Sequence, residues 1–194
     1  MIRCVGIDLD DTLLRTDRTI SPIDKAAIKK AVEKGIKVLL ASGRMVQSMG
    51  PYIRELGLEV PVIAYNGAII QEVLLGQILY HRPVPLEEAR LMVPIFREAG
   101  IHLNVYLNDE LYMDDLTTWG RKYAANAGVE PRPVGDLLNY LTEPPHKLLA
   151  AGAIELIDPL QTQLQEKFEG RLQFVKSKPN YLEILAPEVS KGEA

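Results

Sequence analysis

The sequence predicts an α/β protein that opens with a parallel sheet and continues into a mixed α+β segment. Three observations carry this reading. Apolar runs of strand length alternate with helix-length amphipathic stretches over about the first 65 residues, an order that calls for parallel strands joined by crossover helices. From residue 84 onward, strand-like runs instead come in pairs around short turns, which favours antiparallel pairing. Finally, the first apolar run ends abruptly in Asp8, Asp10 and Asp11, at the position where open α/β sheets bind ligands.

Cys4-Val5-Gly6-Ile7 forms the first strand-like run. On an extended strand, residues two apart share a face, so Asp8 and Asp10 project together about 6–7 Å apart while Leu9 points away. Two like charges at that spacing repel by about 2–3 kcal/mol at an effective dielectric near 20, which suggests a compensating cation. A polar link, residues 15–20, leads to Ser21-Pro22-Ile23-Asp24. Here Ser21 is an N-cap, Pro22 the first helical residue and Asp24 the partner three residues on. Ile23, Ala27 and Ala31 fall on one stripe of this helix with Ile28 and Val32 beside it, and Gly35 ends it. Ile36–Ala41 is the second strand. A helix over residues 45–56, disturbed by Pro51, ends at Gly57. Pro61–Tyr65 is the third strand, followed by Asn66-Gly67.

The later segment begins after a hairpin over residues 68–82 and the punctuating Pro83 and Pro85. A helix over 86–99 precedes strands at 101–107 and 110–113 around the turn pair Asn108-Asp109. A helix follows at 118–127. Residues 147–153 form a strand, a helix starts at Pro159 and ends before Gly170, and strands occupy 172–176 and 181–185. Residues 190–194 read as the opening of a further helix.

The 194-residue chain is 47% apolar and 25% charged, ordinary for a soluble protein able to bury a sizeable core. A net charge of −4 implies no broad basic surface for nucleic acid. No apolar run reaches the roughly 18–20 residues that span a membrane, and Arg3 with the Asp cluster breaks any signal-peptide layout. Cys4 is the sole cysteine, so no internal disulfide forms, and its place in an apolar run predicts burial. Together these point to the cytoplasm; the oligomeric state is left open. His81, His102 and His146 have no ligand spacing and read as surface or structural groups.

Three successive strand ends carry Asp8, Asp10 and Thr12, then Ser42-Gly43-Arg44, then Asn66-Gly67. The second set suits a phosphate, because a hydroxyl and the N–H groups of a helix start both donate to an anion. Carboxylates beside a phosphate need a hard cation such as Mg²⁺ between them. Asp8 can then attack phosphorus, and Asp10 can protonate the leaving oxygen and later activate water. Each group also has a bland reading: an acidic turn for the carboxylates, a helix N-cap for Ser42, a common turn for Asn66-Gly67, a cap or carboxylate partner for Arg44, and a surface lysine for Lys191.

Taken in order, Asp8-Leu9-Asp10-Asp11-Thr12, Ser42-Gly43-Arg44, Asn66-Gly67-Ala68 and Ser190-Lys191-Gly192 resemble the motifs of haloacid-dehalogenase-superfamily phosphatases of the Cof-type branch. Asp11 stands where Gly is more usual. The resemblance implies a Rossmann-like parallel core, incomplete here, with a large inserted α+β cap. Residues 1–83 would be core, 84–186 the cap that sets specificity, and 187–194 the return to the core. It further implies that Asp8 is nucleophile and Mg²⁺ ligand, and that Asp10 is general acid/base and offers its backbone carbonyl to Mg²⁺. Thr12 would support the loop, Ser42, Gly43 and Lys191 would hold the phosphoryl group, and Arg44, Asn66 and Gly67 would border the substrate. The substrate expected is a small phosphorylated metabolite, a sugar or cofactor phosphate.

The branch's acidic fourth motif would follow the lysine, whereas the sequence ends three residues beyond Lys191. A truncated chain is therefore expected, with weak Mg²⁺ binding, slow turnover and an open sheet edge. Two competing readings remain in view. A phospho-acceptor receiver would need an Asp where Tyr65-Asn66 stand; a non-catalytic ligand-binding protein would tolerate the missing motif.

Overall fold

The computed structural model describes residues 2–194, which divide into two units: the chain up to His81 together with Ser190–Ala194, and Arg82–Val189. In the first unit, β1 (Cys4–Asp8) runs parallel to β2 (Lys37–Ala41), with Asp8 opposite Ala41, and β2 runs parallel to β3 (Val62–Ala64). The antiparallel pair β4 (Ile69–Gln71) and β5 (Ile78–His81) completes the order β1-β2-β3-β4-β5. Helices α1 (Pro22–Glu33) and α2 (Val46–Leu56) make the two crossovers. Parallel strands joined this way place the carboxyl ends of β1, β2 and β3 along one edge.

The start of α1 follows the capping-box logic. Ser21 Oγ accepts the Asp24 N–H at 3.0 Å and donates to the Asp24 carboxylate at 2.5 Å. The buried stripe of this helix differs from the one expected. Ile28 is its buried residue, whereas Ile23 and Val32 are exposed; the helix packs on β2 and α2. Cys4 is also exposed rather than buried. Among the described residues, β1 stands at the end of the strand order, beside β2, which leaves Cys4 accessible on its outer flank. The polar link at 15–20 closes on itself through a Leu14–Ile20 bridge and an Asp17 side chain that accepts the Thr19 N–H. Pro51 sits inside α2 without ending it.

In the second unit the sheet order is β10-β11-β9-β6-β7-β8. It comprises β6 (His102–Leu107), β7 (Glu110–Met113), β8 (Pro131–Pro133), β9 (Lys147–Ala151), β10 (Gln173–Lys178) and β11 (Tyr181–Leu185). Asn108 and Asp109 both take left-handed backbone, φ 52° and 56°, which makes the tight hairpin between β6 and β7. The short β8 and the single-turn α5 (Leu137–Tyr140) carry too few residues to show a period, and neither was expected. Helix α6 runs Ile154–Lys167. It starts five residues before Pro159, which lies in its second turn, so the proline marks no boundary there.

Helices α3 (Leu86–Glu98) and α6 cover one face of this sheet. Ala89, Met92, Val93 and Phe96, with Ile157, Leu164 and Phe168, pack on Leu103, Val105, Leu148, Ala150, Leu182 and Ile184. The alternate residues point to the other face, beside α4 (Thr118–Ala127). Tyr106 and Lys147 stand opposite each other there. The Lys147 ammonium lies 5.0 Å from the Tyr106 ring centre and 3.1 Å from the Glu183 carboxylate, all buried. None of the described helices is long and apolar enough to cross a membrane.

Candidate active site

Strand β1 ends at Asp8; two residues on, Asp10 is again extended (φ −76°, ψ 132°), and Asp11 then turns the chain with left-handed backbone, φ 57°. Leu9 and Leu13 anchor the turn by burial, and the Leu14 N–H closes it on the Leu9 carbonyl at 2.8 Å. Leu9 is buried, Asp8 half-buried and Asp10 exposed, and since the strand ends at Asp8 it is the turn, not a continuing strand period, that presents Asp10. Thr12 is exposed on the same turn and stands apart from the side-chain hydrogen bonds of the cluster.

The end of β2 delivers Ser42, fully buried, whose N–H donates to the Ile63 carbonyl at 2.8 Å. Its carbonyl accepts the Asn66 N–H at 3.0 Å, and the Arg44 carbonyl accepts the Tyr65 N–H at 3.0 Å. Ser42-Gly43-Arg44 and Tyr65-Asn66 are thus laced together by backbone bonds. Tyr65 and Asn66 are held at φ 51° and 63°, a region that non-glycine residues enter rarely. Gly43 is needed for this closeness: a Cβ there would lie 2.2 Å from Asn66 Oδ1.

The side chains then converge. Arg44 grips Asp10 with two parallel bonds, Nε to Oδ2 at 2.9 Å and Nη2 to Oδ1 at 2.7 Å. Ser42 Oγ accepts the Arg44 N–H at 3.1 Å and approaches Asp10 Oδ2 at 3.4 Å. Lys191, from the far end of the chain, donates to Asp8 Oδ1 at 2.6 Å. Its approach depends on Gly67 (φ 104°), where a Cβ would fall 2.2 Å from the Ser190 carbonyl oxygen. Ser190 begins a single turn, with the N–H groups of Glu193 and Ala194 folding back on its carbonyl.

The paired carboxylates were expected to need a compensating cation. Within the chain, Lys191 and Arg44 supply two. The Arg44 hydrogen bonds hold the Asp10 carboxyl below the usual carboxylate range, partly opposed by burial, and the same bonds raise the Arg44 guanidinium. Among the described residues no group of three or more His, Cys, Asp and Glu side chains gathers at one point. The donor set for a metal is therefore the Asp8 and Asp10 oxygens. An Asp8 carboxylate oxygen and the Asp10 backbone carbonyl, completed by water and phosphate oxygens, make an all-oxygen Mg²⁺ environment, so the residues present fit that ion.

The structure adds Tyr52, absent from the sequence reading. Its ring lies 5.5 Å from the Arg44 guanidinium carbon. The available signal is its position on the helix that begins just after Arg44. Ser190 was read as part of the lysine motif, but its backbone contact with Gly67 could come only from three dimensions.

The family model for haloacid dehalogenase-like hydrolases matches residues 5–194. The HMP-PP phosphatase of Serratia proteamaculans is 27% identical over 196 residues, which span all of this chain and 70% of that protein. A solved protein of Thermotoga maritima is 30% identical with a TM-score of 0.87, covering all of this chain and 73% of its own. A haloacid dehalogenase-like hydrolase of Bacteroides thetaiotaomicron has the same fold, TM-score 0.91 at 24% identity, over all of this chain and 74% of its own. The chain belongs to the haloacid dehalogenase-like hydrolase family and, within it, to the Cof-type phosphatases.

Proposed function

We propose that this phosphatase hydrolyses a small phosphorylated metabolite, a sugar or cofactor phosphate, with Mg²⁺ bound at Asp8 and Asp10, through an aspartyl-phosphate intermediate. The observation that carries the reading is the convergence of two distant chain segments on the two carboxylates of a third: Lys191 meets Asp8, while Ser42 and Arg44 meet Asp10. A solvated acidic turn has no need of such a gathering.

In the first half-reaction an Asp8 carboxylate oxygen bonds to phosphorus and the bond to the leaving oxygen breaks, with Asp10 giving that oxygen a proton. In the second, Asp10 takes a proton from water, the water oxygen bonds to phosphorus, and the bond to Asp8 breaks to release phosphate. Ser42 Oγ, the Ser42-Gly43-Arg44 backbone and the Lys191 ammonium are assigned to the phosphoryl oxygens, whose charge such donors stabilise in the transition state. Asn66 and Gly67 shape the floor beside them, and Thr12 supports the turn. A bound Mg²⁺ would draw phosphoryl oxygens toward the carboxylates by offsetting their charge. Residues 1–83 and 187–194 are assigned as the catalytic core and 84–186 as the cap that sets specificity. The HMP-PP phosphatase relative supports a small phosphorylated metabolite as substrate.

The test is inorganic phosphate release from a panel of sugar and cofactor phosphates, with Mg²⁺ or with EDTA. Asp8→Asn is expected to fall to background with an unchanged circular dichroism spectrum. Undiminished release by Asp8→Asn would overturn the reading.

A further inference from the structure

We propose that Arg44 is a positioning residue for Asp10, fixing where its proton is delivered to the leaving oxygen, rather than a group that contacts the substrate. The inference rests on the phosphatase reading above and goes beyond it. Arg44 binds both oxygens of one carboxylate through its rigid fork, at 2.9 and 2.7 Å, a geometry that sets carboxylate orientation as well as its place. Arg44 is itself held at its backbone and at its guanidinium. Its backbone N–H bonds to Ser42 Oγ, its carbonyl accepts the Tyr65 N–H, and its guanidinium lies over the Tyr52 ring.

Exposure separates the two roles. The Arg44 side chain is 17% exposed and the Asp10 side chain 52%. The carboxylate is therefore the member of the pair that faces incoming molecules, and the arginine is the member behind it. Asp10 also lies beyond the last paired residue of β1, just before the left-handed turn at Asp11, so the ladder does not hold it. Without a clamp, its carboxyl would be free to turn about two side-chain torsions. The other hydrogen-bond contact at this carboxylate is Ser42 Oγ at 3.4 Å, too long to orient it. A lysine at position 44 would give charge but only a single point of attachment.

The discriminating experiment compares two substrates on the full chain: p-nitrophenyl phosphate, whose phenolate leaves without needing a proton, and an alkyl phosphate, whose alkoxide needs one. In Arg44→Lys and Arg44→Gln, kcat/KM for the alkyl phosphate, which reports the steps up to leaving-group departure, is expected to fall by about tenfold or more, while kcat/KM for the aryl phosphate falls less than about threefold; the later water-activation step, common to both substrates, enters kcat alone. Tyr52→Leu should show the same leaving-group bias, more weakly, and Asp10→Asn the same bias, more strongly. Melting temperatures within a few degrees of wild type establish that the variants fold. A rise in KM for both substrates with kcat retained would overturn the proposal and make Arg44 a substrate ligand. An equal loss of kcat/KM on both would also overturn it. If instead Asp8→Asn retains wild-type phosphate release, the phosphatase reading itself has failed.

Discussion

Lys191 and Asp8, 183 positions apart in the chain, meet in a 2.6 Å hydrogen bond at the carboxyl end of β1. Their side chains are 40% and 35% exposed, so the pair contributes at most about 1 kcal/mol to stability once solvent screening is counted. Lys191→Met is therefore expected to shift Tm by only a few degrees. If the ammonium holds the transferring phosphoryl group, the same change should lower kcat/KM by about 10²–10³. Calorimetry beside phosphate-release kinetics checks both. A large Tm loss with mild kinetic loss would make Lys191 a structural tie.

Gly67 and Gly43 test how the lysine and the asparagine are placed. At Gly67→Ala the new carbon meets the Ser190 carbonyl oxygen at 2.2 Å and its carbon at 2.6 Å, and φ is 104°. Backbone must move, at a cost of about 1–3 kcal/mol, and Lys191 is displaced with it. At Gly43→Ala the contact is the end of the Asn66 side chain, which can swing aside. The expected result is a clear drop in Tm and kcat for Gly67→Ala, against a near-native Tm for Gly43→Ala with an effect confined to KM. Equal Tm losses in the two variants would contradict this.

The contrast between these glycines shows what was legible in the sequence. Strand–helix alternation was readable because β1, β2 and β3 end in sharp changes of residue type, so Asp8, Asp10, Ser42 and Asn66 could be placed on one edge before any coordinates. The capping box at Ser21 was equally plain, being written in adjacent residues. Partnership was not readable. That Arg44 turns to Asp10, or that Ser190 presses on Gly67, depends on chain segments brought together by the sheet. The exposure of Cys4 has the same origin, since an edge strand and an interior strand share one apolar pattern. Pro159 misled because a proline suits a first turn but is tolerated deeper when its neighbours pack well, as α6 shows.

Lys147 and Glu183 form a buried pair, 1% and 7% exposed, at 3.1 Å. Lys147→Met deprives the carboxylate of its ammonium partner, and a loss of about 3–5 kcal/mol is expected. Lys147→Met combined with Glu183→Leu removes both charges and should recover most of that loss. Urea denaturation of the three proteins measures it. A double variant no more stable than the single would show that the pair is worth more than two apolar side chains in its place.

His102 sits 8% exposed, with Nε2 3.0 Å from Asn104 Oδ1 and Nδ1 3.0 Å from Thr117 Oγ1. These contacts suit a neutral ring that donates from Nε2 and accepts at Nδ1. Burial pushes the His102 pKa below its ordinary value, with the Asn104 bond opposing. Above about pH 6.5 the ring is neutral whether folded or unfolded and contributes no pH dependence. Below it, the unfolded chain takes up a proton that the folded ring refuses, so stability falls as pH drops, by up to about 1.4 kcal/mol per pH unit. The lowered carboxyls of Asp10, Asp17 and Asp136 act only below about pH 4, which leaves the interval from pH 5 to about 6.5 to histidine. Urea midpoints should fall across that interval in the wild type and fall less in His102→Gln. Parallel slopes in the two proteins would show that the folded ring protonates as readily as the unfolded one.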